Sequence, residues 1–423
     1  MAETTRTVFE SERALGLAIQ MQGQTDTEIQ HSLEELGELL RTADIIMVGQ
    51  LVQKRDRVSR AFYLGTGKTN EIAEAAEKVG ANLVVADDEL TALQIKTIEE
   101  ATGLPVCDRT SIILDIFARH ASTREGKLQV ELASLQYQLL HLVGGYENLS
   151  RQRGGIGVKG PGETKLETDR RVIKNKLKKL REELDKSVQD RDIQSRKRQE
   201  RFNTVFSLVG YTNAGKSTLL NRLTGSDVKI CDGLFTTLDP TARRLDFSSG
   251  RWGILSDTVG FIRKLPHSLI RAFRATLESV AASEVLLVVC DASDAQYAER
   301  LAAVEEVLGE IGAAERERLY VFNKIDKPMA AEKEEILSAF PGAIFISAQT
   351  GEGIDELKQR LEEVIVRQYV TLQLLVPSKS ELVKEIMQTA IVRSQEWGQG
   401  TVRLEAEVPV KLQARLQNYV VEP

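Results

Sequence analysis

The chain of 423 residues is longer than one hydrophobic core accommodates and is expected to divide into two to four domains. Its 42% hydrophobic and 28% charged residues are those of a globular protein in water, and no run approaches the ~18 apolar residues of a membrane span. The net charge is −6, the three cysteines (Cys107, Cys231, Cys290) and four histidines fit no metal spacing, and residues 1–5 carry no signal-peptide apolar region, so no export, no stable membrane insertion and a cytoplasmic location are expected.

Residues 1–110 read as a small α/β domain. Apolar segments at 45–48, 61–64, 82–86 and 104–106 have strand character. They alternate with helical patterns at 70–79 and 90–101, which argues for a partly parallel sheet. Gly65-Thr66-Gly67-Lys68-Thr69 imitates a phosphate loop, but Phe62 stands where the first glycine belongs, so a strand-to-helix turn is expected there. Asp87, Asp88 and Glu89 read as the acidic start of a helix, because carboxylates suit its positive end.

Residues 111–201 change character. Leu128, Leu132, Leu135, Leu139 and Leu142 step by four and three, as do Ile173, Leu177, Leu180 and Leu184, giving two heptad seams. Gly144-Gly145 and the glycine-rich run 154–162 separate the seams. The expected structure is an antiparallel helical hairpin with an irregular glycine loop at its tip. Arg151, Arg153, Lys159 and Lys165 crowd that tip, and residues 151–200 hold 16 Lys and Arg against 9 Asp and Glu, a net of +7. A positive prong on an acidic body points to a polyanion, in the cytosol usually RNA, which the backbone at Gly154, Gly155, Gly157, Gly160 and Gly162 can approach closely. The competing reading is a solvated coiled coil with surplus lysines.

Residues 202–369 carry the chemistry. An apolar run at 206–209 leads into Gly210-Tyr211-Thr212-Asn213-Ala214-Gly215-Lys216-Ser217-Thr218, and Leu219, Leu220 and Leu223 follow at helical spacing. Strand, G-x-x-x-x-G-K-S and helix in that order form a phosphate-binding loop. Successive backbone N–H groups of 210–218 converge on phosphate oxygens, and the helix start adds its own. Lys216 is expected to bridge the β- and γ-phosphates and the Ser217 hydroxyl to bind Mg²⁺.

Asp257-Thr258-Val259-Gly260 closes an apolar strand at 252–255. There Asp257 can hold the Mg²⁺ water shell and the Gly260 N–H can meet the γ-phosphate. The loop 235–240 can offer Mg²⁺ a threonine hydroxyl, Thr237 being favoured over Thr236. A strand at 320–322 runs into Asn323-Lys324-Ile325-Asp326. The Asp326 carboxylate can accept from guanine N1–H and N2–H₂, a donor pair that adenine lacks. Ser347-Ala348 supplies a backbone N–H for guanine O6. Five elements in this order mark a guanine-nucleotide hydrolase domain, with Lys216, Thr237 and Gly260 nearest the reacting phosphate.

Two departures from small signalling GTPases bear on rate. Where those proteins carry a water-orienting Gln after D-x-x-G, this chain has Phe261 and Ile262. Asn213 stands inside the loop, either as a turn residue or as a ligand for K⁺ beside the β/γ bridging oxygen. Slow intrinsic hydrolysis follows, with K⁺ or a partner supplying what is missing. The apolar run 285–290 reads as a buried strand, 291–294 as a helix cap, and 242–247 with 252–255 as a hairpin. Residues 370–423 read as a small α+β appendage: a strand at 369–376, a helix at 378–392 and a strand at 401–408, packing on the GTPase domain or touching a partner.

The run Gly154-Gly155-Ile156-Gly157, continued by Gly160-Pro161-Gly162-Glu163-Thr164-Lys165-Leu166-Glu167-Thr168-Asp169-Arg170-Arg171, resembles the hallmark of the HflX family of translational GTPases, and 210–218, 235–241 and 257–262 match it too. The resemblance covers nearly the whole chain. It implies binding of GTP/GDP with Mg²⁺, binding of the 50S subunit near the peptidyl-transferase centre, and splitting of stalled or stress-inactivated 70S ribosomes. The 154–162 tip would then reach 23S rRNA, and the apolar catalytic position would be Phe261. The expected architecture is α/β: a P-loop GTPase domain (202–369, mostly parallel sheet flanked by helices) preceded by the small α/β domain and the hairpin and followed by the α+β domain (370–423), as a monomer. A ribosome-assembly or RNA-maturation GTPase, and a protein-interaction regulator using the coiled coil, are the alternatives.

Overall fold

The computed structural model describes residues 12–57, 59, 62–65, 68–151, 161–199, 204–227, 233–235, 241–264, 266, 269, 272, 273, 277 and 280–421. It contains two compact bodies. The first holds the chain up to Ser187 together with the segments Cys231–Asp239 and Arg263–Ala275; the second holds the rest.

In the first body a parallel sheet of order β2-β1-β3-β4 combines β1 (Arg13–Met21), β2 (Ile46–Arg55), β3 (Leu83–Ala86) and β4 (Val106–Asp108). Helices α1 (Asp26–Thr42), α2 (Thr69–Val79), α3 (Ala92–Thr102) and α4 (Arg109–His120) connect or follow the strands. The sequence reading omits β1, the strand that pairs with both β2 and β3. Its residues 14–20 are all buried, so it shows no period-2 alternation. It also omits α1, which opens on a capping box between Thr25 and Glu28. Phe62, Tyr63 and Leu64, expected in a strand, belong to none; Tyr63 and Leu64 instead fill the core beside Leu17, Ile72 and Val84. The expected junction at residue 110 falls inside α4, whose cap is Asp108.

Asp87 and Asp88 do not begin a helix, since α3 starts at Ala92 behind the cap Thr91. Asp87 is fully buried and accepts from Arg109 Nη1 (2.7 Å), Ser32 Oγ (2.6 Å) and Lys264 Nζ (2.5 Å). Lys264 also reaches Asp88 (2.8 Å), and Arg109 pairs with Glu35 and donates to the Arg263 carbonyl. A carboxylate this deep is tolerated because two cations and a hydroxyl offset its desolvation. Phe117 of α4 meets Phe235 and Phe273 edge-on, each with ring centroids 4.8 Å apart, and Leu234 N–H donates to Thr42. The segments around 234 and 264 are thus built into this core.

Helix α5 (Arg124–Arg151) runs unbroken through Gly144-Gly145, correcting the expected break there. Helix α6 (Pro161–Gln199) already includes Pro161-Gly162, correcting the expectation of irregular backbone at those two residues. Proline is favourable at a first helical position, where its missing N–H has no partner to lose. Of the heptad residues, Leu132, Leu135, Leu177 and Leu180 are buried, while Leu128, Leu139 and Leu142 are half-buried. Arg124 at the start of α5 lies 3.8 Å from Glu183, well along α6, as an antiparallel pair requires.

The second body holds a six-stranded sheet of order β10-β9-β8-β5-β7-β6. Its strands are β5 (Val205–Gly210), β6 (Thr241–Asp246), β7 (Trp252–Asp257), β8 (Val285–Asp291), β9 (Glu317–Asn323) and β10 (Ile344–Phe345). All neighbours are parallel except β6, which forms the expected hairpin with β7. Helices α7 (Lys216–Thr224), α8 (Tyr297–Glu310), α9 (Lys333–Ala339) and α10 (Ile354–Val366) alternate with the strands. The residues at 291–294 do not cap α8; its N-cap is Gln296, without a side-chain bond.

An antiparallel sheet of order β11-β13-β12 follows, from β11 (Tyr369–Pro377), β12 (Ile391–Trp397) and β13 (Thr401–Pro409), with α11 (Glu381–Thr389) and α12 (Val410–Leu416) on its core. The expected helix at 378–392 ends at Thr389, and the chain turns directly into β12, which the sequence reading omits. Glu407 of β13 pairs with Arg251, beside β7, and Val410 N–H donates to the Gln368 carbonyl. This sheet therefore packs against the body of the six-stranded sheet.

Candidate functional site

The end of β5 and the start of α7 frame the phosphate loop. Gly210 has φ 150°, and a Cβ there would lie 2.2 Å from the Val289 carbonyl oxygen, so only glycine lets β5 and β8 pair this closely. At Gly215, φ 92°, a Cβ would lie 2.3 Å from Asn323 Nδ2. The two loop glycines are therefore required by neighbours of the loop, Val289 and Asn323. Ala214 N–H donates back to the Tyr211 carbonyl (3.3 Å), closing the turn, and Asn213 sits at φ 61°, a left-handed conformation that asparagine tolerates well. Its backbone geometry gives Asn213 a structural reason to be there. Thr212 is buried within the loop, and Thr218 lies in the first turn of α7.

Lys216 is 7% exposed and donates to the Gly210 (3.0 Å) and Tyr211 (2.7 Å) carbonyls. Burial pushes its ammonium down to about 8; Asp257 pulls it up and Lys324 pushes it further down. Such a cation gains from an anion placed beside it. A Cβ on Gly260 would come within 3.1 Å of Lys216 Nζ and 2.7 Å of Thr212 Cγ2, so the bare backbone at Gly260 leaves the approach to the lysine open. Ser217 Oγ donates to Asp257 Oδ2 (2.6 Å), while Asp257 Oδ1 accepts from Thr258 N–H. A hydroxyl and a fully buried carboxylate side by side are hard oxygen donors that suit Mg²⁺. The loop, the lysine and this oxygen pair fit a magnesium–triphosphate. Thr237 lies outside the described residues.

Phe261 is 1% exposed and Ile262 is 2% exposed. Phe261 N–H donates to the Gly210 carbonyl (3.1 Å) and its own carbonyl accepts from Thr212 N–H (2.8 Å). The position after Gly260 is thus a backbone bridge to the phosphate loop, with its ring packed inside. Neither side chain there has a polar group to hold water.

The loops that follow β9 and β10 converge beside the phosphate loop. Asn323, 2% exposed, donates from Nδ2 to the Ala214 carbonyl (2.8 Å) and accepts at Oδ1 from Ala348 N–H (2.9 Å). Lys324, at φ 68°, donates to the Asn213 carbonyl and to Asp291 Oδ2, both at 2.7 Å. Asp326 Oδ1 accepts from Ser347 Oγ (2.6 Å), which also accepts from Thr350 N–H (3.1 Å). One side chain, Asn323, therefore ties the phosphate loop to the loop 347–349.

The structure brings Gly210 to Thr218, Asp257, Gly260, Asn323, Lys324, Asp326, Ser347 and Ala348 into one neighbourhood. Among the RNA-contact candidates, Arg151 ends α5, Gly162 and Lys165 lie in the first turn and a half of α6, and Arg153, Gly154, Gly155, Gly157, Lys159 and Gly160 fall outside the described residues. The sequence reading passes over two residues. Asp291, read as part of a cap, orients Lys324. Arg222, in the last turn of α7, holds the loop 347–349 by its carbonyls. A basic residue in a helix's last turn is a legible signal, but its partner 126 positions away is not.

Three family models match in succession: a GTP-binding GTPase N-terminal region at 30–118, a GTP-binding GTPase middle region at 120–198, and a 50S ribosome-binding GTPase at 205–324. The chain is 43% identical over 413 residues to GTPase HflX of Caldanaerobacter subterraneus subsp. tengcongensis, covering 97% of this chain and 94% of that one. It is 40% identical over 393 residues to GTPase HflX of Escherichia coli K12, covering 91% and 92%. Among solved structures, a GTP-binding protein from Sulfolobus solfataricus in complex with GDP aligns at a TM-score of 0.43 and 22% identity, covering 84% of this chain and 99% of that one. Among the described residues no helix is long and apolar enough to cross a membrane.

Proposed function

The chain belongs to the HflX family of GTPases and is a GTP hydrolase with a ribosome-binding GTPase domain; from that premise we propose that it docks on the 50S subunit through the 151–165 end of its helical hairpin, reaches 23S rRNA there, and separates stalled 70S ribosomes. The observation that carries the reading is Phe261. With its ring buried and both backbone groups bonded to the phosphate loop, the site holds no side chain at that position to orient water. Such a site hydrolyses slowly until a partner completes its electrostatics.

The roles divide as follows. Lys216 neutralises the β- and γ-phosphates, Gly260 offers its N–H to the γ-phosphate, and the N–H groups of 210–218 cradle the rest. Ser217, Asp257 and Thr237 would hold Mg²⁺, which supplies charge neutralisation between the β- and γ-phosphates when bound. Asp326 reads N1–H and N2–H₂ of guanine, Ala348 N–H reads O6, and Ser347 fixes Asp326. Asn213 would hold K⁺, which supplies positive charge near the β- and γ-phosphates when bound. Binding energy from the hairpin separates the subunits, and hydrolysis then releases the factor. In its functional state the protein is a cytoplasmic monomer.

GTP turnover measured alone, with 50S subunits and with 70S ribosomes, beside light scattering of 70S particles, tests this. Wild type is compared with a variant whose residues 151–162 are replaced by a short linker. Stimulation and dissociation that both vanish in the variant support the proposal. Stimulation without dissociation favours a ribosome-assembly GTPase. No stimulation by any ribosomal particle overturns both and leaves the hairpin as a protein-interaction device. Exchanging K⁺ for Na⁺ leaves turnover unchanged if Asn213 is a turn residue only.

A further inference from the structure

We propose that Arg222 is a positioning residue for guanine recognition, making α7 a rigid ruler between the phosphate end and the base end of the nucleotide. The proposal rests on the reading of Ala348 as the donor to guanine O6. Helix α7 begins at Lys216 and ends at Thr224, with Gly225 (φ 65°) as its cap. Its first turn carries Lys216 and Ser217. Its last turn carries Arg222, whose Nε donates to the Ala348 carbonyl at 3.0 Å and whose Nη2 donates to the Gln349 carbonyl. The guanidinium also covers Gly351, where a Cβ would lie 3.7 Å from Arg222 Cζ.

A planar fork with fixed donors holds two successive carbonyls in one set geometry, whereas an ammonium on a flexible stem does not impose an orientation on them. Fixing those carbonyls fixes the peptide planes on the C-terminal side of Ala348. The other side is fixed by Ser347, whose N–H donates to the Glu352 carbonyl (2.9 Å) and whose carbonyl accepts from Gly351 N–H (2.8 Å). Between these two clamps the Ala348 N–H is aimed into the site, where Asn323 Oδ1 accepts it at 2.9 Å and where guanine O6 would take up that donor. Asn323 is itself bonded to the Ala214 carbonyl, so the loop is tied to the phosphate loop twice, once through Asn323 and once through the length of α7. The two ties differ in consequence. Asn323 acts where the base enters; Arg222 acts from outside, on the far face of the loop.

Two analogues separate the contacts. In 6-thio-GDP the oxygen that Ala348 reads becomes a weaker acceptor, while N1–H and N2–H₂ remain for Asp326. In IDP the amino group that Asp326 reads is missing, while O6 remains. Affinities of GDP, 6-thio-GDP and IDP are measured by competition with a fluorescent GDP on the full chain, for wild type, Arg222→Met and Arg222→Lys. Arg222→Met keeps the apolar stem but loses the fork. It is expected to bind GDP about tenfold more weakly and to lose most of its preference for GDP over 6-thio-GDP, the size of one well-placed hydrogen bond. Its preference for GDP over IDP stays at the wild-type value. Arg222→Lys, which keeps the donors but not their fixed planar geometry, falls between.

General loosening of the fold moves both preferences together, and that result overturns the proposal. So does an Arg222→Met variant that discriminates against 6-thio-GDP as wild type does. Wild type failing to discriminate would instead remove the assignment of Ala348 to O6, on which the inference stands.

Discussion

At the scale of single residues, the sequence announces chemistry better than it announces cost. Lys216, Ser217, Asp257, Asn323 and Asp326 are legible because nucleotide chemistry needs those side chains at those spacings. Asp87 is not. In sequence it looks like a solvated carboxylate before a helix, whereas in the fold it is fully buried against Arg109 and Lys264. Removing it leaves the buried Arg109 with half its compensation, and Arg109 is 1% exposed at its side chain. Asp87→Ala is expected to lower stability by about 3–5 kcal/mol. Lys264→Met, which removes a partner 32% exposed at its side chain, costs about 1 kcal/mol or less after solvent screening. Urea unfolding of the three proteins checks this; equal losses would show that Lys264, not Arg109, is the cation that Asp87 needs.

At the scale of elements, periodicity found the helices and glycine misplaced their ends. Strands β3, β7, β8 and β9 stand out as apolar runs closed by charged or turn residues. Strand β1 escapes because a fully buried strand lacks alternation, and α1 because its polar face hides its apolar positions. Gly144-Gly145 suggests a break, yet α5 carries both in its interior. Its sides rest on α3 and α4, so tertiary packing overrides a local preference worth only about 0.5–1 kcal/mol per glycine. Replacing both with alanine is therefore expected to raise stability by about 1–2 kcal/mol and to increase helical circular dichroism slightly. A drop in melting temperature would mean that close approach, not neglect, keeps glycine at 144 and 145.

At the scale of the whole molecule, each body is internally consistent, and their compositions explain how they hold. The GTPase sheet and the terminal sheet share one body through a polar tie. Glu407, 5% exposed, accepts from Arg251, in the turn before β7, and from Arg393 (2.7 Å). Beside it, Arg251 lies over the Tyr369 ring at 5.8 Å, and Lys411 reaches Glu284. Glu407→Gln is expected to cost about 2–4 kcal/mol, since it leaves the nearly buried Arg251 without its counter-charge. Scanning calorimetry then resolves an early transition for residues 369–421 ahead of the GTPase fold. A single transition shifted as a whole would show that the terminal sheet is held by its apolar contacts alone.

The sequence by itself determined the chemistry of this protein. The phosphate loop, D-x-x-G, N-K-x-D and S-A are local strings, and each works through backbone and side chains within a few residues of one another. It also determined most of the alternation from β3 to β9, because hydrophobic period is a local quantity, but not β1, α1 or β12. The tertiary structure decided what depends on partners distant in the chain. It placed Arg222 against the loop 347–349, 126 positions on, buried Asp87 against a lysine 177 positions away, and made Phe261 a backbone bridge to the phosphate loop. Burial and pairing across such distances carry no period and no motif, so only the folded chain reveals them.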